Sequence, residues 1–139
     1  MNFRTVFLIN RLAMFVVYFW FGFLKVIHLS PATELVTALA QVTLPFIPAE
    51  SFIVSFGIFE CVIGVLWLFP KFTNIVFWLT VFHLVTTFMP MFFLPNVSWN
   101  QFFTPSLVGQ YIIKNFVIFG AIYTLFVANK KDDFVKVFN

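Results

Sequence analysis

Four stretches of mostly apolar residues, each about twenty long, divide this chain and constrain its fold more than any other feature. The hydrocarbon core of a bilayer takes ~20 such residues per helix, because an unpaired backbone group in hydrocarbon costs several kcal/mol. The stretches run from about Val6 to His28, Ser51 to Phe69, Phe72 to Leu94, and Gly109 to Ala128. Apolar residues make up 62% of the 139, and charged residues 9%. A soluble domain sits nearer ~45–50% and ~25%, so too few charges are present to cover a water-facing surface. The expectation is an all-α membrane protein, a four-transmembrane antiparallel helix bundle forming a single domain over residues 1–139.

The connections differ in kind. Pro70-Lys71 leaves so short a turn that the second and third spans must form a hairpin. The segment from Leu29 to Glu50 has a start signal of its own, Ser30 as N-cap with Pro31 at the first helical position and Glu34 in the first turn. Leu35, Val36, Leu39 and Val42 then share one face, which predicts a short interfacial helix between the first two spans, ended near Pro45 and Pro48. The loop from Pro95 to Val108 carries Trp99, Phe102 and Phe103, residue types of an interfacial aromatic belt.

Charge sets the orientation. Arg4, Arg11, Lys71, Lys130, Lys131 and Lys136 fall at the N-terminus, the short turn and the C-terminus, while the two long loops hold neither lysine nor arginine. The positive-inside rule then places both termini in the cytoplasm, in what is expected to be a bacterial cytoplasmic (inner) membrane. The apolar run after Arg4 is too long for a signal peptide and lacks a small-residue cleavage site, so it reads as a retained first helix. A net charge of +3 without a basic run longer than Lys130-Lys131 gives no footprint for nucleic acid. Cys61 is the single cysteine, which excludes an intrachain disulfide and a cysteine-based metal centre. The 24 phenylalanines read first as lipid-facing surface. Lipid-facing and partner-facing rings look alike, so a homo-oligomer stays open.

Ionisable residues at membrane depth cost at least ~2.5–3.5 kcal/mol each and therefore need a partner or a purpose. Glu60 lies near the middle of the second span and His83 near the middle of the third, at similar depth in a hairpin. Gly57 and Gly64 share the face of Glu60, and small residues there let another helix approach. Thr80 and Thr87 flank His83 at helical spacing. Lys25 and His28 stand near the outer end of the first span, and Lys114 lies in the outer half of the fourth, with Gln110, Tyr111 and Asn115 around it. Arg11 is near the inner end of the first span, within reach of the cytoplasmic face by snorkelling. Two readings compete for the polar cluster of Lys25, Glu60, His83, Gln110, Lys114 and Asn115. In one, buried pairs fix helix register. In the other, an outer-half cavity binds a polar head group such as a quinone carbonyl or a small anion.

Bis-histidine haem is disfavoured, since His28 and His83 differ in depth by more than roughly 10 Å at ~1.5 Å per residue. The chain carries no phosphate loop, zinc spacing or nucleophile–base pair. A redox role would therefore call on a partner oxidoreductase subunit, with no covalently bound cofactor.

Three elements together, Gly22-Phe23-Leu24-Lys25, Gly57-Ile58-Phe59-Glu60 and Gln110-Tyr111-Ile112-Ile113-Lys114-Asn115, resemble the DoxX-like family of small four-helix membrane proteins. The resemblance implies an antiparallel bundle and a link to membrane oxidoreductases, since a related protein is the large membrane subunit of a thiosulfate:quinone oxidoreductase. A more distant branch acts in receptor assembly, so the fold does not fix the activity. The matching positions are Arg11, Gly22, Lys25, Glu60, Gly64, Gln110, Lys114 and Asn115. The expectation is a membrane subunit binding a quinone-like molecule; the alternative is a non-catalytic structural or assembly subunit.

Overall fold

The computed structural model describes residues 3–138, with side chains over 4–130. Lys131 and Lys136, which contribute to the charge asymmetry, therefore have side chains outside the described set. Helix α1 covers Phe3–Val26, α2 Thr33–Thr43, α3 Ala49–Trp67 and α4 Thr73–Phe88. Short helices α5 (Pro90–Phe93) and α6 (Pro95–Ser98) follow, then β1 (Trp99–Gln101) and β2 (Thr104–Pro105), and finally α7 (Leu107–Phe138). Four helical stretches are long and apolar enough to cross a membrane: Arg4–Val26, Ala49–Trp67, Pro70–Phe93 and Leu107–Lys130.

The ends of these elements follow from local chemistry. His28 closes α1 in the left-handed conformation (φ 58°). The amide of Leu29 donates to the Leu24 carbonyl at 2.8 Å and that of His28 to the Lys25 carbonyl at 3.2 Å. This pair of hydrogen bonds satisfies two carbonyls that the helix end leaves open, with histidine where glycine is usual. Pro70 cannot continue α3, and Pro70–Phe72 forms a single 3-10 turn into α4. Pro90 ends α4 in the same way. Ser106 caps α7, its Oγ accepting from the Gly109 amide at 3.1 Å.

The start of α2 differs from the sequence expectation. Ser30 does not cap the helix; it makes a preceding turn, its carbonyl accepting from the Thr33 amide at 3.2 Å and its Oγ from the Ala32 amide at 3.2 Å. Pro31 is spent in that turn, so the helix begins at Thr33. The apolar face is also shifted. Ala40 is the buried residue of α2, Leu35, Val36 and Leu39 are half-buried, and Val42 is exposed. In the loop before α7, Trp99 donates Nε1–H to the Met91 carbonyl at 3.0 Å, while Phe102 and Phe103 project outward from the tip of the β1–β2 hairpin.

Packing is led by α1 against α3. A Cβ on Gly22 would lie 2.6 Å from the Gly57 carbonyl oxygen, one on Gly57 2.7 Å from the Gly22 oxygen, and one on Gly64 2.7 Å from the Phe19 nitrogen. The two backbones touch, and residues 22 and 19 meeting 57 and 64 in turn makes the pair antiparallel. Helix α4 packs on α7 through Phe77 stacked on Phe126, with centroids 4.2 Å apart, and Phe88 against Phe116 at 5.0 Å. Met14, Tyr18, Ile63, Trp67, Val76, Leu84, Ile122 and Leu125 fill the space between.

A larger residue at Gly22 or Gly57 must push one backbone off another. Gly57→Val is expected to lower stability by about 1–3 kcal/mol, the usual cost of overpacking. A methyl group added at Gly120 would meet nothing within 4 Å, so Gly120→Ala is expected to be neutral or to stabilise by up to ~1 kcal/mol through helix propensity. Denaturant unfolding in detergent, followed by circular dichroism, compares the two; equal effects would mean that the glycine seam does not hold the helices.

Candidate functional site

Three of the expected polar residues converge. Lys25 on α1 donates from Nζ to Glu60 Oε2 at 2.6 Å, and His83 Nε2 lies 2.8 Å from Glu60 Oε1. All three are buried, at 5%, 5% and 7% exposure. The glycine seam makes this meeting possible, because Gly22 lies against the Glu60 Cβ and Gly57 against the Lys25 Cβ. Lys25 then reaches one turn along α3 to the carboxylate without crossing a side chain.

Each carboxylate oxygen thus has one partner. With Glu60 ionised, both partners are donors, and His83 uses its Nε2–H. The sum of ammonium, carboxylate and neutral imidazole is zero, the charge state that least penalises burial away from water. The other imidazole nitrogen, Nδ1, faces Thr87 Oγ1 at 3.5 Å, while that hydroxyl donates to the His83 carbonyl at 2.9 Å. At 3.5 Å the contact with Nδ1 is weak, so His83 retains capacity on that side.

An aromatic wall encloses the imidazole. Phe56 stacks on it with centroids 5.1 Å apart and planes 16° from parallel, and Tyr18 meets it edge-on at 5.1 Å. The Lys25 ammonium also lies 5.8 Å from the Phe56 ring centre. The Tyr18 residue is 3% exposed, and its hydroxyl has no hydrogen-bond partner among the described residues. A buried phenol normally finds one, so Tyr18 departs from the usual pattern.

The residues expected from the fourth span do not join this group. Gln110 and Lys114 are exposed, and Lys114 Nζ lies 4.9 Å from the centre of the Tyr111 ring on its own helix. Asn115 is half-buried without a described bond to the triad. The reason is angular. Ile112 is buried on α7, and at ~100° per residue Gln110 and Lys114 lie about 200° and 160° around the helix from it. The outer-half cluster of six thus becomes a triad. Arg11 does not snorkel to the surface as expected: it is buried, donating from one guanidinium nitrogen to Thr73 Oγ1 at 2.7 Å and from another to the Trp67 carbonyl at 3.2 Å. Trp67 in turn donates Nε1–H to Thr80 Oγ1 at 3.0 Å.

Tyr18, Phe56 and Thr73 were not among the sequence candidates. Spacing could have found Tyr18, because Arg11, Tyr18 and Lys25 stand seven apart and fall on one face of α1. Phe56 carries no such signal among so many phenylalanines. No described group of three or more His, Cys, Asp or Glu side chains could hold a metal ion. Compared with family models, curated proteins and solved structures, the chain matches none.

Removing one member of a buried pair leaves the other unpaired. Lys25→Ala and Glu60→Ala are each expected to cost about 3–5 kcal/mol, whereas Lys114→Ala and Gln110→Ala stay within about 0.5 kcal/mol. Unfolding midpoints of the four variants in one detergent measure this. A Lys114→Ala loss matching that of Lys25→Ala would contradict the division of the cluster.

Proposed function

We propose that this chain is a DoxX-like membrane subunit of a quinone-linked redox system, and that the head group of a quinone binds beside the Lys25–Glu60–His83 triad. In this reading the four spans form an antiparallel bundle with α2 in the outer interface and both termini in the cytoplasm. The grouping of Arg4, Lys71 and Lys130 away from the two long loops supports that orientation. Of the residues carrying the family resemblance on α1 and α3, Gly22, Lys25, Glu60 and Gly64 build the seam and the triad, while Arg11 bonds to Trp67 and Thr73 instead.

The unpartnered hydroxyl of Tyr18 carries the ligand assignment. It is a buried neutral donor among aromatic rings, the combination that suits a flat molecule with a carbonyl at its edge. Reduction of a quinone to a quinol takes two electrons and two protons. A partner oxidoreductase subunit supplies the electrons, and His83 and Glu60 are the protonatable groups nearest the phenol.

The second reading, a non-catalytic structural or assembly subunit, draws on the full pairing of both Glu60 oxygens, which a register device also needs. Tyr18→Phe separates the two. The hydroxyl has no partner to lose, so the variant is expected to be as stable as the wild type or slightly more so. Its affinity for a short-chain quinone should fall about 5–10-fold, the worth of one hydrogen bond. Titration of purified protein with short-chain ubiquinone and menaquinone analogues measures this. Absence of binding by the wild type removes the redox reading and leaves the structural one.

A further inference from the structure

The fourth span carries polar residues that the triad does not use. Gln110, Ile113, Lys114, Val117, Gly120 and Thr124 are exposed on α7 and recur at i, i+3, i+4, i+7, i+10 and i+14, so they form one stripe down the helix. Ile112, Ile122 and Leu125 face the bundle on the other side. Among the described residues no other span presents such a stripe. Beyond Ser55, α3 exposes Ile58, Val62 and Val65, and beyond their first turns α1 and α4 expose aliphatic and aromatic side chains. The fourth span is also the least covered of the four.

Lys114 stands ~10 Å along α7 from its start at Leu107, a depth at which a cation facing hydrocarbon is costly. The chain supplies no carboxylate to offset it. Of the five acidic residues, Glu60 has both oxygens taken by Lys25 and His83. Asp132 and Asp133 follow ~27 Å or more further along α7. Glu34 and Glu50 stand on α2 and α3, which pack on each other, whereas α7 packs chiefly on α4. The described contact of Lys114 is with the ring of Tyr111 on its own helix, 4.9 Å from Nζ to the centre. Snorkelling toward the helix start relieves such a lysine, but it does nothing for Gly120, ~9 Å further in. A Cβ there would meet nothing within 4 Å, so the propensity that glycine costs a helix is not returned as packing inside the chain. The α1–α3 seam is built from the same parts, with Gly22 admitting α3 and Lys25 meeting Glu60. On α7 those parts face outward.

We infer that this stripe is the docking face for a membrane-spanning helix of a partner protein, one that carries a carboxylate level with Lys114 and packs its backbone over Gly120. Charge selects this partner over a second copy, because a two-fold dimer about the stripe sets Lys114 against Lys114. Phe116 lies beside Phe88 and Glu60 beside His83, which places Lys114 ~10 Å nearer the long-loop end than Glu60. The partner carboxylate is therefore required in that half of its span. The inference concerns a different helix face from the triad and stands apart from the quinone reading.

Energy transfer in phosphatidylcholine vesicles tests this, with the protein labelled at its amino terminus and designed single-span leucine–alanine peptides labelled as acceptors. The peptides carry glutamate, leucine or lysine at one position level with Lys114. The glutamate peptide is expected to associate at least ~5-fold more tightly than the leucine peptide, the worth of one interhelical polar contact, and the lysine peptide no more tightly than the leucine one. Lys114→Met should remove the glutamate preference, and Gly120→Leu should weaken both associations at least ~3-fold. Both positions are exposed, and added bulk at Gly120 meets open space, so folding is not at stake. Trp78→Leu, on the exposed face of α4, should change nothing. Equal association of the glutamate and leucine peptides overturns the proposal, in favour of Lys114 snorkelling to lipid phosphate. So does a glutamate preference that survives Lys114→Met. Transfer between donor- and acceptor-labelled copies of the chain that exceeds the peptide signal and is lost in Lys114→Met would overturn it in favour of a second copy.

Discussion

The contact between the backbones of α1 and α3 determines what the rest of the molecule can do. Apolar side chains gain little by leaving lipid for one another, so helices in a bilayer associate through close packing and polar contacts. Gly22 and Gly57 place each backbone against the carbonyl oxygen of the other, at a separation that no side chain permits. This approach brings the Cβ of Lys25 over Gly57 and the Cβ of Glu60 over Gly22. The ion pair is therefore set by backbone geometry before either side chain chooses a rotamer, which lowers the entropy lost in forming it. With longer residues at the seam, the same two charges would face each other across a gap and remain unpaired in hydrocarbon.

Two buried polar groups share this seam and solve the problem of charge differently. Around Glu60 a lysine and a histidine each take one carboxylate oxygen, and the three sit where α1, α3 and α4 meet. Around Arg11 the acceptors are a carbonyl and a hydroxyl. These relieve the guanidinium of lost hydrogen bonds to water without neutralising it. A self-balanced group can lie anywhere in the membrane. Arg11 borders a cleft at a helix end.

Hydropathy makes the four spans legible, each within a few residues of its observed limits, because the cost of exposing backbone to lipid leaves few alternatives. Pairing of Glu60 with His83 is equally legible, since a two-residue turn fixes the relative depth of the helices it joins. Lys25 is legible in part. Its depth is readable from position, but its reach to Glu60 depends on the two glycines lying face to face, which a single helix pattern does not specify. Lys114 is misplaced by depth alone, which brings it level with the cluster but leaves its angle around the helix open. Ile112, Ile122 and Leu125 mark the inward face of α7, and that spacing already turns Lys114 outward. Ser30 misleads for a related reason, because a serine before a proline serves a turn as well as a helix start.

The seven-residue repeat along α1 organises these observations into levels. Arg11, Tyr18 and Lys25 follow one another at ~10 Å intervals on the buried face, with Met14 and Gly22 between them. At the first level Arg11 engages Thr73 and Trp67, and Trp67 passes on to Thr80. At the third level Lys25 engages Glu60, and through it His83. Thr80 spends its hydroxyl proton on the Val76 carbonyl at 2.7 Å, which ends the first chain short of the imidazole. Among the described residues no direct hydrogen bond joins the two networks. The middle level is held by Tyr18 alone, whose hydroxyl is unpaired between two satisfied systems. An inert core would place phenylalanine there and lose nothing. Retaining a buried donor there costs desolvation without a compensating bond among the described residues.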